Sequence, residues 1–238
     1  YVLAAMRQCG IPEEFITGDK TSREKFEKLC GMMEKAGANP LTFWFGHAFK
    51  HLLKVEAVLN TQNAGDIWDR VGDLLQQSDF SPRGLMINQD IQIMASTDDP
   101  ADSLEHHQKL RDESFEVDVI PTLRPDAVTK MSDLSAWRDY LQKLGTAASI
   151  EIKSFDDLKS ALRARHDFFD TMGGKATDHG PDYMPVEGYG DDTTAEHIFN
   201  RAFRKEGEIT REEQDRFTAW LLGFTAQLNS EKGWVLQL

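Results

Sequence analysis

The chain has 238 residues, enough for one large domain or two small ones with a hydrophobic core. Its 40 acidic and 27 basic residues give a formal net charge of −13, which disfavours nucleic-acid binding because a phosphate backbone would be repelled. No segment approaches about 18 consecutive apolar residues, so the sequence excludes a membrane-spanning helix.

The first 86 residues have the pattern of a helical domain. Residues 21–24 (Thr-Ser-Arg-Glu) form a capping-box signature, and apolar residues follow it at helical spacing. Thr61 is predicted to cap a further helix that carries Ile67 and Trp68. We therefore predict an all-α domain over residues 1–86.

Beyond Ser81-Pro82-Arg83-Gly84 short apolar segments alternate with helical patterns. Helices are predicted to begin near Ser103, Ser132, Ser154 and Thr210, and strands are predicted at 91–95, at 117–120, around Ala176–Asp178 and at 234–238. This alternation predicts a parallel α/β sheet, and residues 87–238 are interpreted as part of a (β/α)8 TIM-type barrel. A doubly wound open sheet is the alternative, although the glycine-rich first turn typical of that fold is absent.

Arg124 is the first candidate functional residue. It follows an apolar strand in a Leu-Arg-Pro-Asp turn, and its guanidinium could grip a carboxylate with two parallel hydrogen bonds. An ion pair between Arg124 and Asp126 that only stabilises the turn fits the spacing equally well.

Asp178 and His179 form the second candidate, because a carboxylate beside an imidazole at a strand end can serve proton transfer or metal binding. The alternative is that His179 only bonds a backbone carbonyl in the following turn. Asp98 and Asp99 precede a helix that either could cap. His106 and His107, at the start of that helix, are predicted to be solvated.

Features of the whole chain give further expectations. The chain begins at Tyr1, not Met, and its final apolar strand has no turn after it, so we expect it to be part of a longer polypeptide. Four strands cannot close a barrel, which gives the same expectation. Two cysteines, Cys9 and Cys30, cannot form a disulfide framework and favour a reducing cytoplasm.

Several segments together resemble uronate (glucuronate) isomerase, a divergent branch of the amidohydrolase superfamily. They occur in family order along the whole chain, and this collinearity is stronger evidence than any one motif. The matching segments are 1–7 with Gly10, 13–19, 39–41 with Trp44, 96–100 with 103–107, 121–126, 177–180 and 233–238.

The resemblance implies a metal-dependent (β/α)8 barrel with an all-α insertion after its first strand, of which this chain would carry strands two to five. Such enzymes interconvert D-glucuronate and D-fructuronate, and D-galacturonate and D-tagaturonate, in sugar-acid catabolism. The implied partner is a small acidic sugar, contacted by Arg124 and by Tyr1, while Asp178 and His179 would belong to the catalytic site. Self-association into a homo-oligomer is left open.

The family's metal-binding His-x-His and its aspartate ligand would lie outside residues 1–238. The resemblance therefore implies a divalent metal, zinc or similar, in the full-length enzyme, with no ligand supplied by this chain and no metal bound by it alone. Phe43 and Gly46 stand where the family has histidines beside Trp44. This departure keeps open a hydrolase of the same superfamily acting on another acidic substrate, and a non-catalytic binding fragment is the third hypothesis.

Overall fold

The structure is a computed structural model that describes residues 1–37, 39–185 and 191–238. These residues form two compact units, Tyr1–Ile91 and Gln92–Leu238. Nowhere in the described ranges does a helix combine the length and apolar character needed to cross a bilayer.

Unit 1, residues 1–91, is helical in its described part. Its helices are α1 (Val2–Gln8), α2 (Ser22–Ala36), α3 (Pro40–His51), α4 (Ala64–Leu75) and α5 (Pro82–Asn88), with 3-10 turns at Glu13–Phe15 and Ser78–Phe80. The predicted capping box opens α2, where Thr21 accepts from the Glu24 backbone and Glu24 accepts from the Thr21 backbone. Buried apolar side chains from several of these helices form the core, including Cys30, Met33, Leu41 and Ile67.

One helix start in unit 1 differs from the prediction. Helix α4 begins at Ala64, and Asn63 precedes it without a side-chain capping bond. Thr61, predicted to cap this helix, instead donates its hydroxyl hydrogen to Glu34 of α2 at 2.8 Å. A tertiary partner outweighed the local capping preference of threonine.

Unit 2, residues 92–238, is an α/β fold built on a parallel sheet, as predicted. The strands β1 (Ile93–Asp98), β2 (Asp118–Leu123), β3 (Ala176–Asp178) and β4 (Val235–Gln237) lie in sequence order and all pair in parallel. The intervening helices are α6 (Glu105–Asp112), α7 (Leu134–Ala148), α8 (Phe155–Thr171), α9 (Asp192–Arg204) and α10 (Arg211–Lys232), with a 3-10 turn at Asp126–Thr129.

The first two strands begin one or two residues later than predicted and end three residues later, at Asp98 and Leu123. Pro121 disfavours a central strand because it lacks an N–H, so the second predicted strand ends at 120. In the structure the register continues through Ser96↔Pro121 and Thr97↔Thr122 to Asp98↔Leu123. The polar residues of β1 therefore lie within the ladder.

The helices of unit 2 pack around an aromatic core. Trp137 of α7, Phe155 of α8, Phe199 of α9 and Trp220 of α10 are each at most 3% exposed, and the Phe155 and Trp220 rings lie 4.7 Å apart. Burial of this size is the main favourable term in forming the layer. Ala101 after β1, and Val128 and Met131 after β2, belong to the same core, so the layer anchors the segments that follow these two strands.

Candidate functional site

A cavity of about 880 Å³ lies at the carboxyl ends of β1, β2 and β3. Thr97 and Asp98 from β1, Arg124 and Asp126 after β2, and His179 after β3 are among its lining residues. Carboxyl ends of parallel strands meet at one edge of a sheet, so these residues come from distant parts of the sequence.

Arg124 is held in this cavity by two neighbouring strands. Its backbone N–H donates to the Asp98 carbonyl of β1 at 2.9 Å, and its guanidinium donates to Asp178 of β3. Thr97 contacts the same carboxylate oxygen, with Oγ1 3.4 Å from Asp178 Oδ2. The Arg124 side chain is 43% exposed, so the guanidinium also faces the cavity. The ion-pair partner of Arg124 is thus Asp178, and not Asp126 of the same turn.

His179 is buried and engaged at both ring nitrogens. Nδ1 lies 3.2 Å from Asp126 Oδ1, and Nε2 lies 3.1 Å from Thr225 Oγ1 of α10. The backbone N–H of Gly180 donates to the other Asp126 oxygen at 2.8 Å. The alternative of a bond to a backbone carbonyl is not what forms, and His179 and Gly180 together orient the Asp126 carboxylate.

Burial by itself raises the pKa of Asp126. The hydrogen bonds from His179 and Gly180, with the charges of His179 and Arg124, outweigh burial and leave the pKa below its ordinary value. Asp126 is therefore an anion in the cavity across the neutral pH range.

The two aspartates at the end of β1 do not cap the next helix. Helix α6 begins after Leu104, which gives no side-chain capping bond. Asp99 instead accepts from the Ala101 N–H at 2.8 Å and from the Tyr140 hydroxyl at 3.0 Å. Burial, partly offset by these two bonds, raises the pKa of Asp99.

His107 is buried, contrary to the solvated position predicted for it, whereas His106 is exposed. The Nε2 atom of His107 lies 2.8 Å from Ser96 Oγ, and Ser96 Oγ donates to Asp98 Oδ2 at 2.7 Å. The spacing of Ser96 and Asp98, two residues apart on one strand, is the signal that could have placed both on the face covered by α6.

Tyr1, the remaining sequence candidate, belongs to unit 1, where it precedes α1 and its side chain is exposed. Thr225 was not a sequence candidate, because nothing distinguishes it from other polar residues of α10.

The described residues do not fit a metal site by themselves. Nowhere in residues 1–37, 39–185 and 191–238 do three His, Cys, Asp or Glu side chains come together as metal ligands would. The histidine of the cavity is already engaged by Asp126 and Thr225.

Comparison with known proteins identifies the family. The glucuronate isomerase family model matches residues 1–238. The chain is 37% identical over 238 residues to the uronate isomerase of Phocaeicola vulgatus, and 37% identical over 242 residues to that of Geobacillus thermodenitrificans. Each match covers 100% of this chain and 50% of the relative, so the chain spans about half the length of these relatives.

Solved structures give the same result for the fold. The uronate isomerase of Thermotoga maritima superposes with a TM-score of 0.88 at 29% identity, over 100% of this chain and 52% of that one. The glucuronate isomerase of Caulobacter crescentus gives a TM-score of 0.87 at 25% identity, over 99% of this chain and 50% of that one. With the family model matched from end to end, the chain belongs to the glucuronate isomerase family.

Proposed function

We propose that this chain is part of a uronate isomerase that interconverts D-glucuronate with D-fructuronate and D-galacturonate with D-tagaturonate. The observation that carries the proposal is the end-to-end match to the family, in a chain that presents Arg124 to a cavity at the carboxyl ends of its strands. The reaction, an aldose–ketose isomerisation, moves a proton between C2 and C1 of the open sugar. The enzyme would act in sugar-acid catabolism in the cytoplasm.

The proposed architecture is a (β/α)8 barrel with an all-α inserted domain. In it β1 to β4 would be barrel strands two to five, and unit 1 would be the insertion. The support is the unbroken parallel order of the four strands and the superposition on two family structures over half of their length. A divalent metal is expected in the full-length enzyme, on ligands outside this chain.

Arg124 is the proposed contact for the acidic sugar. Its guanidinium keeps donors available beyond the one given to Asp178, and these can bind the carboxylate or hydroxyl oxygens of the sugar. Tyr1 is proposed as a second hydrogen-bonding contact. Asp178 and His179 are proposed members of the catalytic site, in which Asp178 orients Arg124 and His179 orients Asp126.

The test is turnover of D-glucuronate by the full-length enzyme, followed by proton NMR. We expect Arg124→Ala to lower kcat/KM by about 10- to 100-fold, the effect of losing a charge-assisted hydrogen bond of roughly 1.5–3 kcal/mol. Arg204→Ala is the matched control, because that arginine is exposed at the end of α9 and lies 4.0 Å from Glu206.

Unchanged turnover in Arg124→Ala would refute the role of this arginine. Hydrolysis of lactones or amides, without interconversion of uronates, would replace the isomerase by the hydrolase alternative.

A further inference from the structure

Three side chains outside the sugar-contacting set form a chain of hydrogen bonds that leads to Arg124. Ser96 and Asp98 point to the same side of β1, and His107 of α6 covers them. His107 Nε2 lies 3.7 Å from Asp98 Oδ2, too far for a direct hydrogen bond, so Ser96 connects the two.

The single hydroxyl hydrogen of Ser96 decides the direction of this chain. Its candidate acceptors are the Asp98 carboxylate at 2.7 Å and the Ile120 carbonyl at 3.4 Å, and the short bond to a charged acceptor is much the stronger. The serine oxygen must then accept from His107, which places the ring hydrogen on Nε2. His107 Nδ1 is buried and has no hydrogen-bond partner among the described residues.

The segment fixed in this way contacts Arg124 at one point and the ion-pair partner of Arg124 at another. The backbone carbonyl of Asp98 accepts the Arg124 N–H, and Thr97 contacts the carboxylate of Asp178, the ion-pair partner of Arg124. Holding the Asp98 side chain therefore fixes both the backbone of the arginine and the anion that orients its guanidinium.

We propose that Ser96 and His107 are positioning residues for Arg124, acting through Asp98. Neither needs to contact the sugar. This inference rests on the proposed isomerase function, because it assigns these residues to the substrate-binding arginine of that reaction. A displacement of about 1 Å in a substrate-binding group is enough to lower the rate substantially.

The experiment uses substitutions at position 107 in the full-length enzyme. Glutamine places an amide N–H close to the position of histidine Nε2, whereas alanine removes the donor. We expect His107→Ala and Ser96→Ala each to lower kcat/KM for D-glucuronate by about 10-fold, and His107→Gln to restore most of it. His106→Ala is the control. The His106 imidazole is exposed and lies 3.8 Å from Glu105, so we expect its removal to leave kcat/KM unchanged.

A double-mutant cycle tests whether the effect passes through Arg124. In an Arg124→Ala background, His107→Ala should cause little further loss, because the group that it positions is gone. Thermal unfolding of each variant identifies any that fail to fold, and His107→Gln serves as the folded comparison.

The outcomes separate the two proposals. If Arg124→Ala itself leaves turnover unchanged, the proposed function of Arg124 fails. A second result is that Arg124→Ala lowers turnover while His107→Ala lowers kcat/KM by the same factor in the wild-type and Arg124→Ala backgrounds. That result would overturn the positioning role and leave the isomerase function standing. The positioning role is also overturned if His107→Gln is as impaired as His107→Ala.

Discussion

At the residue scale, the charged side chains of the turns at 124–126 and 178–179 pair between the turns and not within them. Sequence neighbours would pair Arg124 with Asp126 and Asp178 with His179, but Arg124 pairs with Asp178 and His179 with Asp126. This pairing between turns occurs because β2 and β3 are adjacent parallel strands, so their carboxyl ends bring the two turns side by side. Each turn is therefore held by the other.

The Asp126 carboxylate gives a pH-dependent prediction at this scale. A group whose pKa is lower in the folded than in the unfolded state stabilises the fold above its ordinary pKa, and this contribution is lost as the pH falls towards the lowered value. Asp126→Asn should lower the free energy of unfolding at pH 7 by roughly 1.5–3 kcal/mol, and the gap to the wild type should narrow below about pH 4.

Urea unfolding at several pH values measures that gap. Asp139→Asn, at an exposed position of α7, is the control and should change the free energy of unfolding little at any pH. A gap for Asp126→Asn that stays constant down to acid pH would contradict the proposed ionic role of Asp126.

At the element scale, three capping boxes fix where long helices begin. They open α2 at Thr21, α8 at Ser154 and α10 at Thr210. In α10 the Thr210 hydroxyl accepts from the Glu213 N–H at 3.2 Å, and Glu213 accepts from the Thr210 N–H at 2.9 Å. These bonds satisfy backbone donors that a helix start leaves without partners. The same helix carries Thr225 to His179.

We expect Thr210→Ala to lower the free energy of unfolding by about 1 kcal/mol, because it leaves an N-terminal donor of α10 without its acceptor. Urea unfolding checks this value. Thr218→Ala is the matched control within α10, since that hydroxyl only donates to the Gln214 carbonyl one turn earlier and no backbone donor depends on it. If Thr210→Ala and Thr218→Ala lower the free energy of unfolding equally, the capping contribution of Thr210 is contradicted.

At the scale of the whole molecule, the chain covers about half the length of its relatives, and metal binding is the property that this half should lack. Because no group of three potential ligands forms among the described residues, we expect the 238-residue chain to retain less than stoichiometric zinc after dialysis. The full-length enzyme should hold metal, lose activity with a chelator and recover it when a divalent cation is added back.

Mass spectrometry measures the metal content of the 238-residue chain and of the full-length enzyme, and proton NMR follows the turnover of the full-length enzyme. Stoichiometric zinc on the 238-residue chain that disappears in His179→Ala would contradict the prediction, and would instead place a metal ligand in this cavity. Asp139→Asn serves here as the control for a carboxylate outside the cavity.

Much of the fold could be predicted because its signals are local. The helix starts at Thr21, Ser154 and Thr210 and the alternation of strands with helices depend on hydrogen bonds and apolar spacing within a few residues. The carboxyl ends of the first two strands were predicted three residues too early, because Pro121 and the polar residues of β1 conceal a pairing that only the neighbouring strand supplies.

By itself the sequence determined the parallel α/β class, the starts of α2, α8 and α10, the cationic turn at Arg124 and the family to which the chain belongs. Only the tertiary structure decided that Asp178 is the partner of Arg124, that Asp126 is the partner of His179, and that His107 is buried against Ser96. The physical reason is that a helix cap is satisfied within one turn of the chain. An ion pair between strand ends depends instead on which strands lie side by side, and nothing near those residues in the sequence encodes it.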